Sequence, residues 1–348
     1  MLLNLSFFIG PRLGLADDCH GAFMNKKLHA ILKILDRSAT IMGSRDLSRQ
    51  LKMHGIELTE RTVRYYLKML DRRGFTTVFG KEGRRITSKG RGELTSSRVS
   101  DRVGFVISRI ETLSYLTTLD RETLQGDVIL NISFFAKKHL KEALRLLSPV
   151  FRSPYVMSDR LVMAHSGESI GSVQVPQGQV GIGTVCSVTV NGIFLKAGIP
   201  VASRFGGVLE IAEGKPSRFV SLISYEGSSL DPLEVFIKSG MTAVSDAVRT
   251  GSGQVLASFR EIPVVCLEEA KKVAKDMAGK GIRGILLMGQ PNKPFLEVPV
   301  GLDKVGVAVV GGLNPIAVLE EKGIPTMSKA MSSLVEYSSL TRSTELFR

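Results

Sequence analysis

Apolar positions near the start of the chain recur at helical spacing and then give way to short β-type runs. Leu28, Ile31, Leu32 and Leu35 share one helical face. Residues 44–55 (SRDLSRQLKMHG) read as a second helix, with Ser44 as its N-cap and Gly55 as its stop. Thr59 is suited to cap a third helix. Its inward stripe is Val63, Tyr66, Leu67 and Leu70, and Glu60, Arg61, Arg64, Tyr65 and Lys68 face outward. After Gly74, two runs at 75–79 and 84–87 flank a turn containing Gly80 and Gly83, which predicts a hairpin. Three helices followed by a basic hairpin make a winged helix-turn-helix, here over residues 24–95. Val103, Val106, Ile107, Ile110 and Leu113 then mark a linker helix within residues 96–118.

From residue 119 to 345 strand and helix patterns alternate, and the segment repeats itself. Residues 126–147 align without a gap on 253–274: Gly126 matches Gly253, Val128 matches Val255, and Glu142-Ala143 matches Glu269-Ala270. Residues 180–210 align on 305–335, with Val180-Gly181 on Val305-Gly306 and Gly198-Ile199-Pro200 on Gly323-Ile324-Pro325. Ser203, Arg204 and Leu209 fall on Ser328, Lys329 and Leu334, and Cys186 falls on Gly311. The expected architecture is α/β: an N-terminal winged helix-turn-helix, then an internally duplicated α/β domain of two halves, 124–225 and 251–340, about a pseudo-twofold axis. In each half the Gly-Ile-Pro ends a helix and opens the next strand.

Charge sharpens this division. The net charge is +13, and residues 24–102 carry 19 Lys and Arg against 8 Asp and Glu. The basic surplus therefore sits in the short N-terminal module, on a nearly neutral body, as a nucleic-acid contact requires. Arg61 and Arg64 are candidates for base edges, because arginine bridges guanine acceptors bidentately. Ser44, Arg45, Thr59, Thr62, Tyr65 and Lys68 complete the candidate face. Lys81, Arg84 and Arg85 on the wing suit phosphate. Three scattered cysteines (Cys19, Cys186, Cys266) and five histidines form neither a CxxC pair nor an HExxH spacing. No metal site or disulfide framework is expected, and a reducing cytoplasm fits. No run suits a membrane span. Residues 1–23 read as a disordered tail or a start assigned too early, since Met24 opens directly onto the helical pattern.

The third helix (LTERTVRYYLKMLDRRGF), the wing (GKEGRRITSKGRGEL) and the stretch VGIGTVCSVTVNGIFLKAGIPVASRFGGVLEI resemble the archaeal nitrogen-regulatory repressors, the NrpR family, over roughly residues 25–340. The resemblance implies a repressor of nitrogen-assimilation genes that binds a palindromic operator as a dimer, or with a paralogous partner chain. It implies 2-oxoglutarate as the releasing effector, and no cofactor or enzymatic activity. It also marks Gly181, Gly183, Thr184 and Cys186, with Arg204, Gly206 and Gly207, as effector pocket. Glycine-rich turns would supply backbone donors and Arg204 a carboxylate fork. Two rival readings stay open. One is an enzyme fused to the DNA module with Cys186 as nucleophile, which needs a base or cation at the thiol; the nearest histidine in sequence is His165. The other is a winged helix that binds RNA.

Overall fold

The structure is a computed structural model that describes residues 26–38, 40–96 and 105–347. The expected tail at 1–23 lies outside the described residues. The chain forms two compact units that divide between Asp101 and Arg102.

In the first unit, α1 (Lys26–Ser38), α2 (Ser44–Met53) and α3 (Glu60–Arg72) bury the stripes their spacing predicts. Leu28, Ile31, Leu32 and Leu35 meet Leu47, Leu51, Val63, Leu67 and Leu70, while Tyr66 is only half-buried. Thr59 caps α3, its Oγ1 accepting from the Thr62 amide at 3.2 Å. Ser44 does not cap α2: Gly43 holds that position, and Ser44 is the first helical residue. The wing is β1 (Thr76–Phe79) paired antiparallel with β2 (Gly83–Ile86). A third backbone segment joins it at Met42, which exchanges both amide hydrogen bonds with Arg84. Gly83, at φ +137°, allows this, since a Cβ there would lie 2.2 Å from the Met42 carbonyl oxygen. A fourth helix, α4 (Ser88–Ser96), follows the wing, where the sequence pattern predicts none.

The second unit begins with α5 (Phe105–Leu116), the expected linker helix. Residues 97–104 of that expected linker lie outside the described residues. The helix itself is part of the body: Val106 and Ile110 are buried against Ile129, Cys186, Val188, Tyr225 and Met331.

The duplication is visible element by element. The first half runs β3 (Asp127–Ala136), α6 (Leu140–Arg152), β4 (Arg160–His165), the small hairpin β5 (Ser169–Ile170) and β6 (Val173–Gln174), β7 (Gln179–Val185), α7 (Val188–Lys196) and β8 (Ala202–Ala212). The strand β9 (Lys215–Ser224) and the helices α8 (Pro232–Lys238) and α9 (Val244–Thr250) lead to the second half. That half runs β10 (Gly253–Pro263), α10 (Leu267–Gly279), β11 (Ile285–Met288), β12 (Lys304–Val310), α11 (Asn314–Glu321) and β13 (Thr326–Glu336). The chain closes with β14 (Thr341–Arg342) and α12 (Ser343–Leu346).

Equivalent positions make equivalent bonds. The Cys186 amide donates to the Ile129 carbonyl at 2.7 Å, as Gly311 does to Leu256 at 2.8 Å. Thr189 Oγ1 accepts from the Ile129 amide, as Asn314 Oδ1 does from Leu256. The helix-ending Gly198 and Gly323 sit at φ +74° and +76°.

The halves are interlocked. One sheet has the order β13-β3-β7-β4-β14 and the other β11-β12-β10-β8-β9. Thus β8, from the first half, pairs with β10, and β13, from the second, pairs with β3. Neither half completes its sheet alone, and one apolar core runs through both. Asn314 helps join them: its Nδ2 donates to the Tyr155 and Leu256 carbonyls, each at 3.1 Å.

Candidate functional site

In the N-terminal module, positions 61, 64, 65 and 68 of α3 form one outward stripe, because residues three and four apart share a helix face. Arg61, Arg64, Tyr65 and Lys68 are all exposed. Arg64 donates to Glu60 Oε1 at 2.6 Å, Ser44 donates to the same oxygen at 3.0 Å, and Arg45 approaches Glu60 Oε2 at 4.0 Å. The Arg64 bond, then the Ser44 bond, hold the Glu60 carboxyl below its ordinary range. Glu60 is therefore the organiser of this face, a role that its outward position in the helix pattern does not reveal. Arg61 and Lys68 make no ion pair among the described residues, so their charge is available to a polyanion.

On the wing, Lys81 is exposed at the tip, and the Arg85 guanidinium lies 4.9 Å from the centre of the Phe79 ring, held outward. Arg84 departs from its expected role. Its Nε donates to both oxygens of Asp71, at 2.8 and 3.1 Å, and the two side chains are 16% and 20% exposed. It ties the wing to the end of α3 and is committed to Asp71 instead of being available to phosphate.

The expected effector residues separate into two groups. Gly181 and Gly183 are not in a loop. They lie inside β7, between β3 and β4, at ordinary extended backbone angles. A Cβ at Gly183 would stand 2.6 Å from Val162 Cγ1, so the glycine admits packing over the strand instead of cradling an anion. Gly206 and Gly207 serve the same end inside β8, under Tyr225, Pro232 and Phe219. The Thr184 hydroxyl is spent on the Gly312 carbonyl at 2.7 Å. These five do not form a pocket mouth.

Arg204 does line a cavity. It opens into a cleft of about 500 Å³ with Asn191, Ser203, Ile107, Ile110 and Glu111, so α5 is one wall. The volume is within the range of small-molecule sites. Arg204 also pairs with the buried Glu261 at 3.5 Å, so the structural and the pocket roles coexist. Absent from the expected set are Asn191, which lines the cleft, and Arg260, which bonds it from behind. Arg260 on β10 is 2% exposed and donates through Nη1 to Asn191 Oδ1. Burial pushes its guanidinium down to about 10. One signal could have found it: in the repeat alignment Arg260 falls on Ser133, a charge where the other copy is small and neutral.

The wall helix is held by a second cluster. Arg109 donates to the Met331 carbonyl through Nε at 3.1 Å and Nη2 at 2.5 Å. Met331, at φ +52°, sits in a bulge of β13 that Asn131 Oδ1 and Glu234 Oε1 grip through the Met331 and Ala330 amides. Gly192 lets α5 lie close to α7, since a Cβ there would be 2.4 Å from Thr117 Cβ.

The family described as NrpR regulatory domains NRD1 and 2 matches residues 103–342. The chain belongs to the NrpR family. Its N-terminal part, residues 29–94, matches the family described as the Ribonuclease R winged-helix domain. The α/β architecture of a winged helix followed by NrpR regulatory domains is thus established. Among relatives, the chain is 39% identical to "Global nitrogen regulator NrpRI" of Methanosarcina mazei, over 91% of this chain and 98% of that protein. It is 31% identical to "Global nitrogen regulator NrpR" of Methanococcus maripaludis, over 91% of this chain. It is 32% identical to the protein of the same name from Methanocaldococcus jannaschii, over 92% of this chain. The chain spans 55% of the length of each of these two. A crystal structure of a nitrogen repressor-like protein from Methanococcus jannaschii superposes with a TM-score of 0.59 at 34% identity, covering 68% of this chain and 98% of that one.

Within this NrpR body Cys186 is poorly placed as a nucleophile. It is 5% exposed, and burial pushes its thiol up to about 11. His165 pairs with Val180, at the far end of the strand that leads to Cys186. Arg260 and Asp231 both act on the thiol, with opposite effects, and burial outweighs them and favours the protonated form. Among the described residues no helix is long and apolar enough to cross a membrane.

Proposed function

We propose that this chain is a transcriptional repressor of nitrogen-assimilation genes that binds a palindromic operator as a dimer and leaves it when 2-oxoglutarate binds the body. The observation that carries the reading is the union, in one chain, of an exposed cationic α3 and wing with an NrpR regulatory body. Relatives bearing the name global nitrogen regulator match across both parts. In this reading α3 enters the major groove, where Arg61 reaches base edges and Tyr65 and Lys68 flank it. Lys81 and Arg85 neutralise phosphates and make binding steeply salt-dependent.

A dimer, with itself or with a paralogous chain, matches the symmetry of a palindrome and fixes the half-site spacing. Effector and operator must then be linked through an element with two arrangements. The helix α5 is suited to that role. It walls the cleft, it is gripped by the Met331 bulge, and it is the first described element of the body in sequence. The residues at Cys186 give no support to an enzymatic reading.

The test is selection of duplexes from a random pool by the full chain. Enrichment of an inverted repeat, with single-stranded RNA unable to compete, is the expected result. Equal retention of all duplexes, or preference for the single strand, would sink the operator reading.

A further inference from the structure

The interlocked halves put two positions in the body in strict correspondence, and only one of them is charged. In one sheet Ser203 of β8 stands opposite Arg260 of β10, and in the other Ser328 of β13 stands opposite Ser133 of β3. At the second position the two hydroxyls bond each other at 2.8 Å, and Ile316 replaces Asn191 in the adjoining helix. That position is neutral and self-satisfied. At the first position a guanidinium lies buried with no carboxylate partner among the described residues. Its Nη1 has only the Asn191 amide oxygen, and its Nε has no hydrogen-bond partner. Its neighbours Cys186 and Tyr225, and the Asp231 carboxyl that acts on both, do not supply the missing charge: burial disfavours the charged form of all three, and Asp231 makes no ion pair with Arg260. An unpaired buried cation is costly, and a protein interior normally supplies a counter-charge.

Asn191 is the link between this cation and the cleft. It accepts from Arg260 on one side and donates through Nδ2 to Ser203 Oγ at 2.9 Å on the other. Asn191, Ser203 and Arg204 all line the cleft. The Ser203 hydroxyl, having accepted from Asn191, retains its own proton to donate. The charged groups around the cleft are Arg204, with Glu261 behind it, and Glu111 and Glu226, both exposed. The exposed carboxylates are screened by water, whereas the buried guanidinium is not, so the floor of the cleft favours an anion.

We propose that this cleft is a single carboxylate-binding site per chain, in which the ligand's carboxylate is held by Ser203, Asn191 and Arg204 and supplies the counter-charge that Arg260 lacks. Ile107, Ile110 and Leu195 suit a short aliphatic stem, which makes the ligand class a small mono- or dicarboxylate. The inference rests on the reading of the chain as an effector-released regulator, and it locates that effector between α5 and the interlocked sheets. It also states that the duplication does not duplicate the site.

The experiment is calorimetric titration of the full chain with 2-oxoglutarate, for the natural sequence and for Arg260→Met, Arg204→Gln and Lys329→Met. One molecule per chain is expected. Arg260→Met should bind at least about 30-fold more weakly, because the buried charge acts on the carboxylate across Asn191 where water screens little. It should also melt no lower than the natural protein, because an unpaired buried cation is replaced by an apolar side chain. Arg204→Gln, on a half-exposed side chain, should weaken binding without disturbing the fold, which keeps the site testable if Arg260→Met does not fold. Lys329→Met should bind as the natural chain does. Unchanged affinity in Arg260→Met or in Arg204→Gln overturns the site while leaving the effector reading intact. Two molecules per chain, or loss on Lys329→Met, overturns its singleness. No heat with 2-oxoglutarate overturns both the site and the effector reading. Duplex binding in the same preparation then decides separately whether the chain is a DNA-binding regulator.

Discussion

Arg84 and Arg85 are neighbours on one strand of the wing, and the structure assigns them opposite duties. Removing Arg84 leaves the Asp71 carboxylate, 20% exposed, with the Thr76 hydroxyl at 2.6 Å as its remaining side-chain donor. A hydrogen bond to a charged group contributes ~1.5–3 kcal/mol, and partial solvation of this pair places the loss near ~1.5 kcal/mol. For a domain of roughly 60–100 residues, 1 kcal/mol moves Tm by ~4–8 °C. Arg84→Ala should therefore lower the melting of the winged helix by about 6–12 °C in scanning calorimetry of the full chain. Arg85→Ala should leave that transition in place, since its side chain is exposed and its contact is the Phe79 ring. The second assay is duplex binding against salt concentration, well below the transition. Arg85→Ala should reduce the slope of log K against log salt by about 0.9 for each protomer on the duplex, about 1.8 for a dimer, and Arg84→Ala should leave it unchanged. A shallower slope in Arg84→Ala with no fall in melting temperature would refute the assignment and return Arg84 to the DNA.

Three further outcomes follow from the body. Asn314→Leu should destabilise it by about 2–5 kcal/mol in urea unfolding, because the Leu256 amide and the Tyr155 carbonyl lose their side-chain partner in the core; a loss below about 1 kcal/mol would mean that these groups find other partners. With its thiol pushed up to about 11, Cys186 should be only ~0.1% thiolate at pH 8 and resist iodoacetamide until the protein unfolds, in a chain where Cys19 and Cys266 are serine; rapid native alkylation would revive the nucleophile. Burial first, and Asp231 second, raise the Glu234 carboxyl from 4.5 to about 7. The folded state then keeps a proton that the unfolded chain releases, so this contribution to stability is lost as pH rises from about 4.5 to about 7. Glu234→Gln should flatten that dependence in urea titrations across the window, and an unaltered dependence would place it elsewhere.

The three helices and the hairpin were legible because each buries a simple stripe: Val63, Leu67 and Leu70 are spaced as a helix face must be. The α4 helix was not, because SKGRGELTS offers little apolar periodicity and two glycines. The duplication was legible to the residue, yet the exchange of β8 and β13 was not, since a sequence pattern specifies a strand but not its partner. Gly181 and Gly183 were misread as a ligand turn for a related reason. Composition alone does not distinguish a glycine that frees the backbone from one that makes room for Val162. Ser44 was displaced by one position, within the usual uncertainty of helix ends. Arg260 stayed hidden in an apolar strand, and only its mismatch with Ser133 in the other copy marked it.

The central claim is that one chain joins operator binding to carboxylate sensing. Fluorescence anisotropy of a labelled inverted-repeat duplex, titrated with the full chain at fixed salt with and without 2-oxoglutarate, tests it most directly. The account predicts tight binding without the metabolite and release, by at least about tenfold in affinity, with it, a coupling of ordinary allosteric size. Binding that is identical in both titrations would contradict it.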